Sequence, residues 1–350
     1  MKKRIIAFAL AIAMALVLTA CNDSGSEPSS QSGAGLGGTV DKPYIITFGY
    51  TGNVTNPEHP YRLAMAAMNE KLMELSGGTL GFEIVFGGVY GSTAQHLAQI
   101  KAGTLDGMGT GFDTATNLEN SERFFAIATP YVFDSDEHID KFLASDLWAE
   151  MVNDLAKDNG IRITTLFFHQ PPRSLNTNRP IEHPSDVAGL KLRVPESDVQ
   201  VRVWQAAGAS PVQIPASELY SALDTGLADG QENDLPTGGS QKIYEVAPYF
   251  TQIDYIRQAQ LLYTSEITWN KMSDQEKEWF LEAARYAGKV AEARYVTLYD
   301  EAITAITNNG GTIVECDYNE WKDFFTKIVK EQFDGVRFPK GLYDQIQAMA

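Results

Sequence analysis

From Pro43 onward, stretches suited to strands alternate with stretches suited to helices, and that rhythm restricts the chain to a layered α/β fold. Pro43 to Tyr50 reads as a first strand, followed by a loop rich in Gly, Asn and Pro through His59. Pro60 opens a helix, because the missing proline N–H costs nothing in a first turn. Phe82 to Phe86 contains no Gly or Pro and reads as a second strand. Ser92-Thr93-Ala94-Gln95 is a capping-box pattern, starting a helix that ends at Gly103. A helix from about Ser135 to Asn159 and a strand from Ile161 to Phe168 continue the series. In such folds ligands sit outside the carboxyl ends of strands, where loops converge.

The longest element runs from Ser273 to about Asn308, capped by Ser273-Asp274-Gln275-Glu276 and stopped by Gly310-Gly311. Phe280, Ala284, Ala287 and Ala291 share one face. At 1.5 Å per residue this helix is roughly 50 Å long, enough to span two lobes; the alternative is a pair of helices broken near Gly288. The chain's 350 residues suffice for two α/β lobes. The expected division is residues 40–170 with about 259–298 as lobe I, and 171–258 with about 299–350 as lobe II.

Lys2, Lys3 and Arg4 precede an apolar run from Ile5 to Leu18, and Leu18-Thr19-Ala20-Cys21 follows. The run is shorter than the roughly 20 apolar residues of a membrane span, so residues 1–20 read as a secretory signal rather than an uncleaved anchor. Cys21 then becomes the acylated N-terminus, and residues 21–39, rich in Ser and Gly, form a flexible tether. More than one acyl chain is needed for firm attachment. Removing the leader takes away three positive charges and no negative ones, moving the formal charge from −17 to −20. That balance argues against nucleic-acid binding. Cys316 remains as the only thiol, in a strand-like setting that suits a buried, inert side chain.

An enzyme needs a nucleophile with its base, a metal cluster or a cofactor loop, and none is recognisable by spacing. Gly33, Gly35 and Gly38 match a dinucleotide-loop pattern, but they lie in the tether with no strand before them. The five histidines show no i, i+4 pairing, and no metal site or cofactor is expected. Arg173 and Arg193, by contrast, fall where strands end. A guanidinium fork matches a carboxylate in bidentate fashion, although on the residues alone an arginine is more often a surface ion-pair residue than a ligand contact.

Four words surround these arginines: Gly189-Leu190-Lys191-Leu192-Arg193-Val194-Pro195, Ala207-Gly208-Ala209-Ser210-Pro211, Ser217-Glu218-Leu219-Tyr220-Ser221-Ala222-Leu223 and Asp229-Gly230-Gln231-Glu232-Asn233. Together they resemble the DctP-type solute-binding subunit of tripartite ATP-independent periplasmic (TRAP) transporters. The resemblance extends over nearly the whole mature chain. It implies a two-lobed, periplasmic-binding-protein-like fold of type II character, with the long helix spanning both lobes. It implies no catalysis but capture of an organic acid, a C4-dicarboxylate or a sugar acid, and its delivery to small and large integral membrane subunits by a lipid-anchored, extracytoplasmic monomer. Other classes to weigh against it are a secreted enzyme acting on an organic acid and a sensory module.

By the same resemblance Arg193 makes the main salt bridge to the ligand carboxylate, Arg173 adds a second contact and Asn233 supplies an amide. Asp229-Gly230 is a turn, where glycine permits the reversal. Tyr50, Asn53, His59, Thr110 and Phe112 are first-lobe candidates on loops facing the cleft. The sequence departs from sialic-acid binders at Glu196, Ala216 and Asp234, which points to a smaller acid, with Glu196 placed to accept hydrogen bonds from ligand hydroxyls.

Overall fold

The computed structural model describes residues 33–350. The expected leader (1–20), Cys21 and the first part of the tether lie outside the described residues. Residues 33–39 do not behave as the free coil expected of them. The Gly35 amide donates to the Lys271 carbonyl at 2.9 Å, and the Leu36 amide donates to the Glu276 carboxylate at 3.1 and 3.2 Å.

One mixed sheet organises the described residues. Its strands are β1 (Tyr44–Gly49), β2 (Leu80–Val85), β3 (Gly107–Thr110), β4 (Ile161–Thr177), β5 (Lys191–Val194), β6 (Ser210–Gln213), β7 (Gly230–Asp234), β8 (Tyr249–Ser265) and β9 (Thr312–Val314). They lie in the order β2-β1-β3-β8-β4-β7-β5-β6, with β9 on β8. Strands β4 and β8, 17 residues each, run antiparallel as a central ribbon. One end of β8, Leu261 to Thr264, pairs with β3, while the far end of β4, Arg173 to Thr177, pairs with β7. Within the sheet, the halves β2-β1-β3 and β7-β5-β6 are joined only through this ribbon, which is the two-lobed arrangement.

Strand β4 continues nine residues past the Phe168 expected from sequence. Pro171 and Pro172 read as a stop, since proline cannot donate to a ladder. They sit where the register against β8 shifts, between the Gln170–Gln258 and Arg173–Ile256 pairs, so no ladder bond is asked of them. Arg173 thus lies within a strand rather than after one. The single helix expected over Ser135 to Asn159 is two, Asp136–Leu143 and Asp146–Asn159. Ser145 divides them, its side chain accepting from the Trp148 amide at 3.2 Å as an N-cap.

The long helix, Asp274–Asn308, is continuous, and its Ser273/Glu276 capping box is formed on both sides. Gly288 does not break it. A Cβ there would come within 2.1 Å of the Phe167 carbonyl oxygen, so glycine is what lets helix and β4 approach. Phe280, Ala283, Ala284, Ala287 and Ala291 pack with Phe48, Met68, Leu72 and Phe82 beneath β1 and β2. Farther along, Ala302 and Ile306 pack with Leu235, Ile243 and Phe250. The helix therefore contributes to a core in each half. No helix among the described residues is long and apolar enough to cross a membrane.

Candidate ligand-binding cleft

Two arginines among the described residues are buried, Arg173 and Arg193, and both line one cleft with a cavity volume of about 140 Å³. Strand pairing brings them together. In the β4–β7 register Arg173 faces Asp234 and Ser174 faces Asn233, while parallel pairing of β5 with β7 sets Arg193 beside Gln231. Arg173 and Arg193, 20 positions apart in sequence, thus both line this cleft.

Their electrostatic situations are opposite. Arg173 is committed to the protein: Nη2 donates to the Glu232 carbonyl at 2.6 Å and to Glu232 Oε1 at 2.7 Å, and Nε donates to Glu232 Oε2. Its Nη1 donates to Gln258 Oε1 at 3.0 Å. Burial works against this cation, and Glu232 more than restores it, holding the guanidinium above the usual arginine range. Glu232 is itself 0% exposed and also accepts from the Tyr255 hydroxyl at 2.6 Å. Arg193 is 3% exposed, and its Nε donates to the Ile214 carbonyl at 2.9 Å. No ion pair to it forms among the described residues. Burial, assisted by the charge of Arg173, pushes it down to about 10.

Asn233, Tyr50, Asn53, His59 and Thr110 also line the cleft, as expected from sequence. Asn233 donates from Nδ2 to Gln231 Oε1 at 3.3 Å. His59 sits at the N-cap of helix Pro60–Leu75, where Nδ1 accepts from the Tyr61 amide at 3.3 Å. Burial, with Arg62 and Arg294 nearby, pushes it down to about 4, so it is neutral at physiological pH.

Two expected residues are not brought there. Phe112 belongs to the core, its ring 5.8 Å from Phe133 and 5.9 Å from Trp148. Glu196 is absent from the cleft lining: its Oε2 accepts from the Thr93 amide at 3.2 Å and its carbonyl from Asn117 Nδ2 at 3.1 Å.

Asp234, which the sequence marked as a departure bearing on ligand class, lines the cleft, and sequence reasoning missed Asp113, Gln170, Gln258 and Gln260. Burial pushes up the carboxyls of Asp113 and Asp234, with Arg173 opposing it in both cases. Asp234 caps helix Leu235–Ser240, accepting from the Thr237 amide at 2.7 Å and its hydroxyl at 2.9 Å. Gln260 donates to Gln170, which donates to the Tyr295 hydroxyl of the long helix at 2.9 Å. Gln258 Nε2 and Gln260 Oε1 are buried without protein partners, a donor and an acceptor beside the arginines. The two glutamines alternate with Ala259 in β8, a period-2 signal that marks a polar face.

Two half-sheets joined by a ribbon and a shared helix, with a cleft lined by two buried arginines, have the architecture of a two-lobed solute-binding protein. Residues 51–335 match the bacterial extracellular solute-binding protein family 7, DctP, and the chain belongs to that family of TRAP-transporter solute-binding proteins, which are not enzymes. A solute-binding protein of Roseobacter denitrificans is 30% identical over 267 residues, covering 76% of this chain and 81% of the relative. The crystal structure of a TRAP periplasmic solute-binding protein from Roseobacter denitrificans, with bound L-galactonate, superposes with a TM-score of 0.78 at 25% identity, covering 87% of this chain and 98% of that one. Another, from a Bradyrhizobium species in complex with α/β-D-galacturonate, gives 0.77 at 25% identity over 88% and 100% of the two chains.

Proposed function

We propose that the protein captures a sugar acid, a polyhydroxylated monocarboxylate, and hands it to the integral membrane subunits of a TRAP transporter. The observation that carries this is Arg193, a buried cation beside a cleft with no ion-pair partner among the described residues. A ligand carboxylate supplies the missing countercharge, and Arg173, fixed by Glu232, and Asn233 flank it. Asp113 and Asp234 decide the class of acid. Carboxylates accept hydrogen bonds from hydroxyls and repel a second carboxylate, so the cleft suits an aldonate or uronate better than a C4-dicarboxylate. The galactonate and galacturonate in the Roseobacter and Bradyrhizobium structures support the same class.

Closure is a hinge motion of residues 40–170 with about 259–298 against 171–258 with about 299–350, absorbed by β4, β8 and the long helix. A leader cut before Cys21 and acylation of that cysteine hold the protein, as a monomer, on the outer face of the cell membrane. Cys21→Ser should move it from the membrane fraction to the soluble one.

The test of the ligand is mass spectrometry of the co-purified small molecule, followed by calorimetry with galactonate, galacturonate and succinate. The expected result is binding of at least one sugar acid and a much weaker response to succinate. Preferential binding of succinate would overturn the assignment of Asp113 and Asp234.

A further inference from the structure

Glu196 stands three residues beyond Arg193, just past the end of β5, with Pro195 between it and the cleft. Its carboxylate accepts from the Thr93 amide at 3.2 Å, and its main-chain carbonyl accepts from Asn117 Nδ2 at 3.1 Å. Both partners lie on the other side of the molecule. Thr93 opens helix Thr93–Ala102, which connects β2 to β3, and Asn117 closes the helical turn Phe112–Asn117 that follows β3. In the sheet, β7, β4 and β8 separate β5 from β3. The bonds therefore connect the two halves directly, not through the ribbon.

Local chemistry explains the fit. The first N–H groups of a helix have no partners within it. Here the Ser92 side chain takes the Gln95 amide, and Gln95 returns the favour to the Ser92 amide, which leaves the Thr93 amide for another acceptor. The helix carries no acidic residue in its first turn. Glu196 supplies, from the opposite half, both the acceptor and the negative charge that the positive helix end favours.

We propose that Glu196 is a latch: it holds the two halves together over the cleft and sets how long a captured solute stays, without touching the solute. The latch rests on the reading of the cleft as the solute site. The bonds of Glu196 to Thr93 and Asn117 form without the solute, and a carboxylate seated on Arg193 fixes the end of β5 and so holds Glu196 more firmly against Thr93. Separation of the halves breaks both bonds, so the latch contributes only to the closed arrangement and acts mainly on release.

Thr93→Pro is the sharpest probe. Proline is favoured at a first helical position and removes only the N–H. The preceding Ser92 has φ −72° and ψ 171°, a conformation that tolerates a following proline. Thr93→Ala, which keeps the N–H, is the control. Thr93→Pro and Glu196→Ala should each weaken binding of galactonate and galacturonate by the same factor for both ligands, roughly 10- to 150-fold for one charge-assisted hydrogen bond. Stopped-flow measurements should place the change in the dissociation rate. The double variant should be no worse than Glu196→Ala alone, and Thr93→Ala should bind like the unaltered protein.

If Glu196 instead contacts the solute, Thr93→Pro will leave affinity intact while Glu196→Ala reorders the ligands, and the latch is refuted. Small-angle scattering of the ligand-free proteins separates this outcome from failure of the cleft reading. Both Thr93→Pro and Glu196→Ala should raise the radius of gyration whether or not any tested acid binds, and an unchanged radius would overturn the proposal.

Discussion

Replacing Arg193 by methionine separates what this residue does for the fold from what it does for the solute. In the ligand-free protein its guanidinium is buried, which pushes it down from the usual arginine range to about 10. A base whose folded pKa lies below its unfolded one carries a cost that is fully present below the folded value and vanishes above the unfolded one. At pH 7 that cost is roughly 3 kcal/mol, at 1.36 kcal/mol per unit. Methionine removes it while keeping most of the volume, and forfeits the Nε bond to the Ile214 carbonyl, worth about 1 kcal/mol. Ligand-free stability should therefore hold or rise by about 1 to 2 kcal/mol. Affinity should fall by about 2 to 5 kcal/mol, roughly thirtyfold to several thousandfold, because the ligand carboxylate is left desolvated and unpaired. Urea unfolding without ligand and calorimetry with the co-purified acid measure the two quantities. A loss of stability with affinity changed less than threefold would refute the reasoning, since Arg193 would then serve the protein and not the solute.

Arg173→Met should do the reverse to the fold: it strands the fully buried Glu232 with only the Tyr255 hydroxyl, and should lower unfolding stability by about 3 to 5 kcal/mol in thermal or urea denaturation. Gly288→Ala gains helix propensity but presses a methyl to 2.1 Å from the Phe167 carbonyl, so a net loss of about 1 to 3 kcal/mol is expected in the same assays. His59, held down to about 4 from 6.5, is neutral in the fold; the unfolded chain binds its proton first, so stability present above pH 6.5 is lost as pH falls toward 4, by up to about 3 kcal/mol. His59→Asn keeps a capping side chain and should flatten that part of the stability profile, read as urea midpoints at pH 7 and pH 5.

Short-range chemistry was legible in the sequence. Pro60, Ser92 and Ser273 each mark a helix start that the structure keeps, because a cap is decided within four residues. Ser145 carried the same kind of signal, a serine before Asp146, but apolar periodicity on both sides concealed it. Strand β4 was cut short for a different reason. Whether Pro171 and Pro172 end a strand depends on what the neighbouring strand requires at that point, and β8 lies about 90 residues away in sequence. Gly288 is the same case in a helix: its meaning is set by the Phe167 carbonyl, which no local pattern reveals.

The site divides along the same line. Sequence words located both arginines, yet could not tell a guanidinium committed to the protein from one open to a solute. That difference is made by Glu232, which stands one residue before Asn233 in the same word, and whose partner is chosen by the pairing of β7 with β4. Glu196 lies outside the cleft lining because three residues beyond Arg193 the chain has left β5 and reached the start of helix Thr93–Ala102. In the proposed reading the two residues act differently: the solute completes the charge of Arg193, and the closed state completes the bond of Glu196. Only the first leaves a mark in its neighbours along the chain. The second is defined by what meets it across the cleft, so residues just past a ligand-binding strand end are the place to look for it.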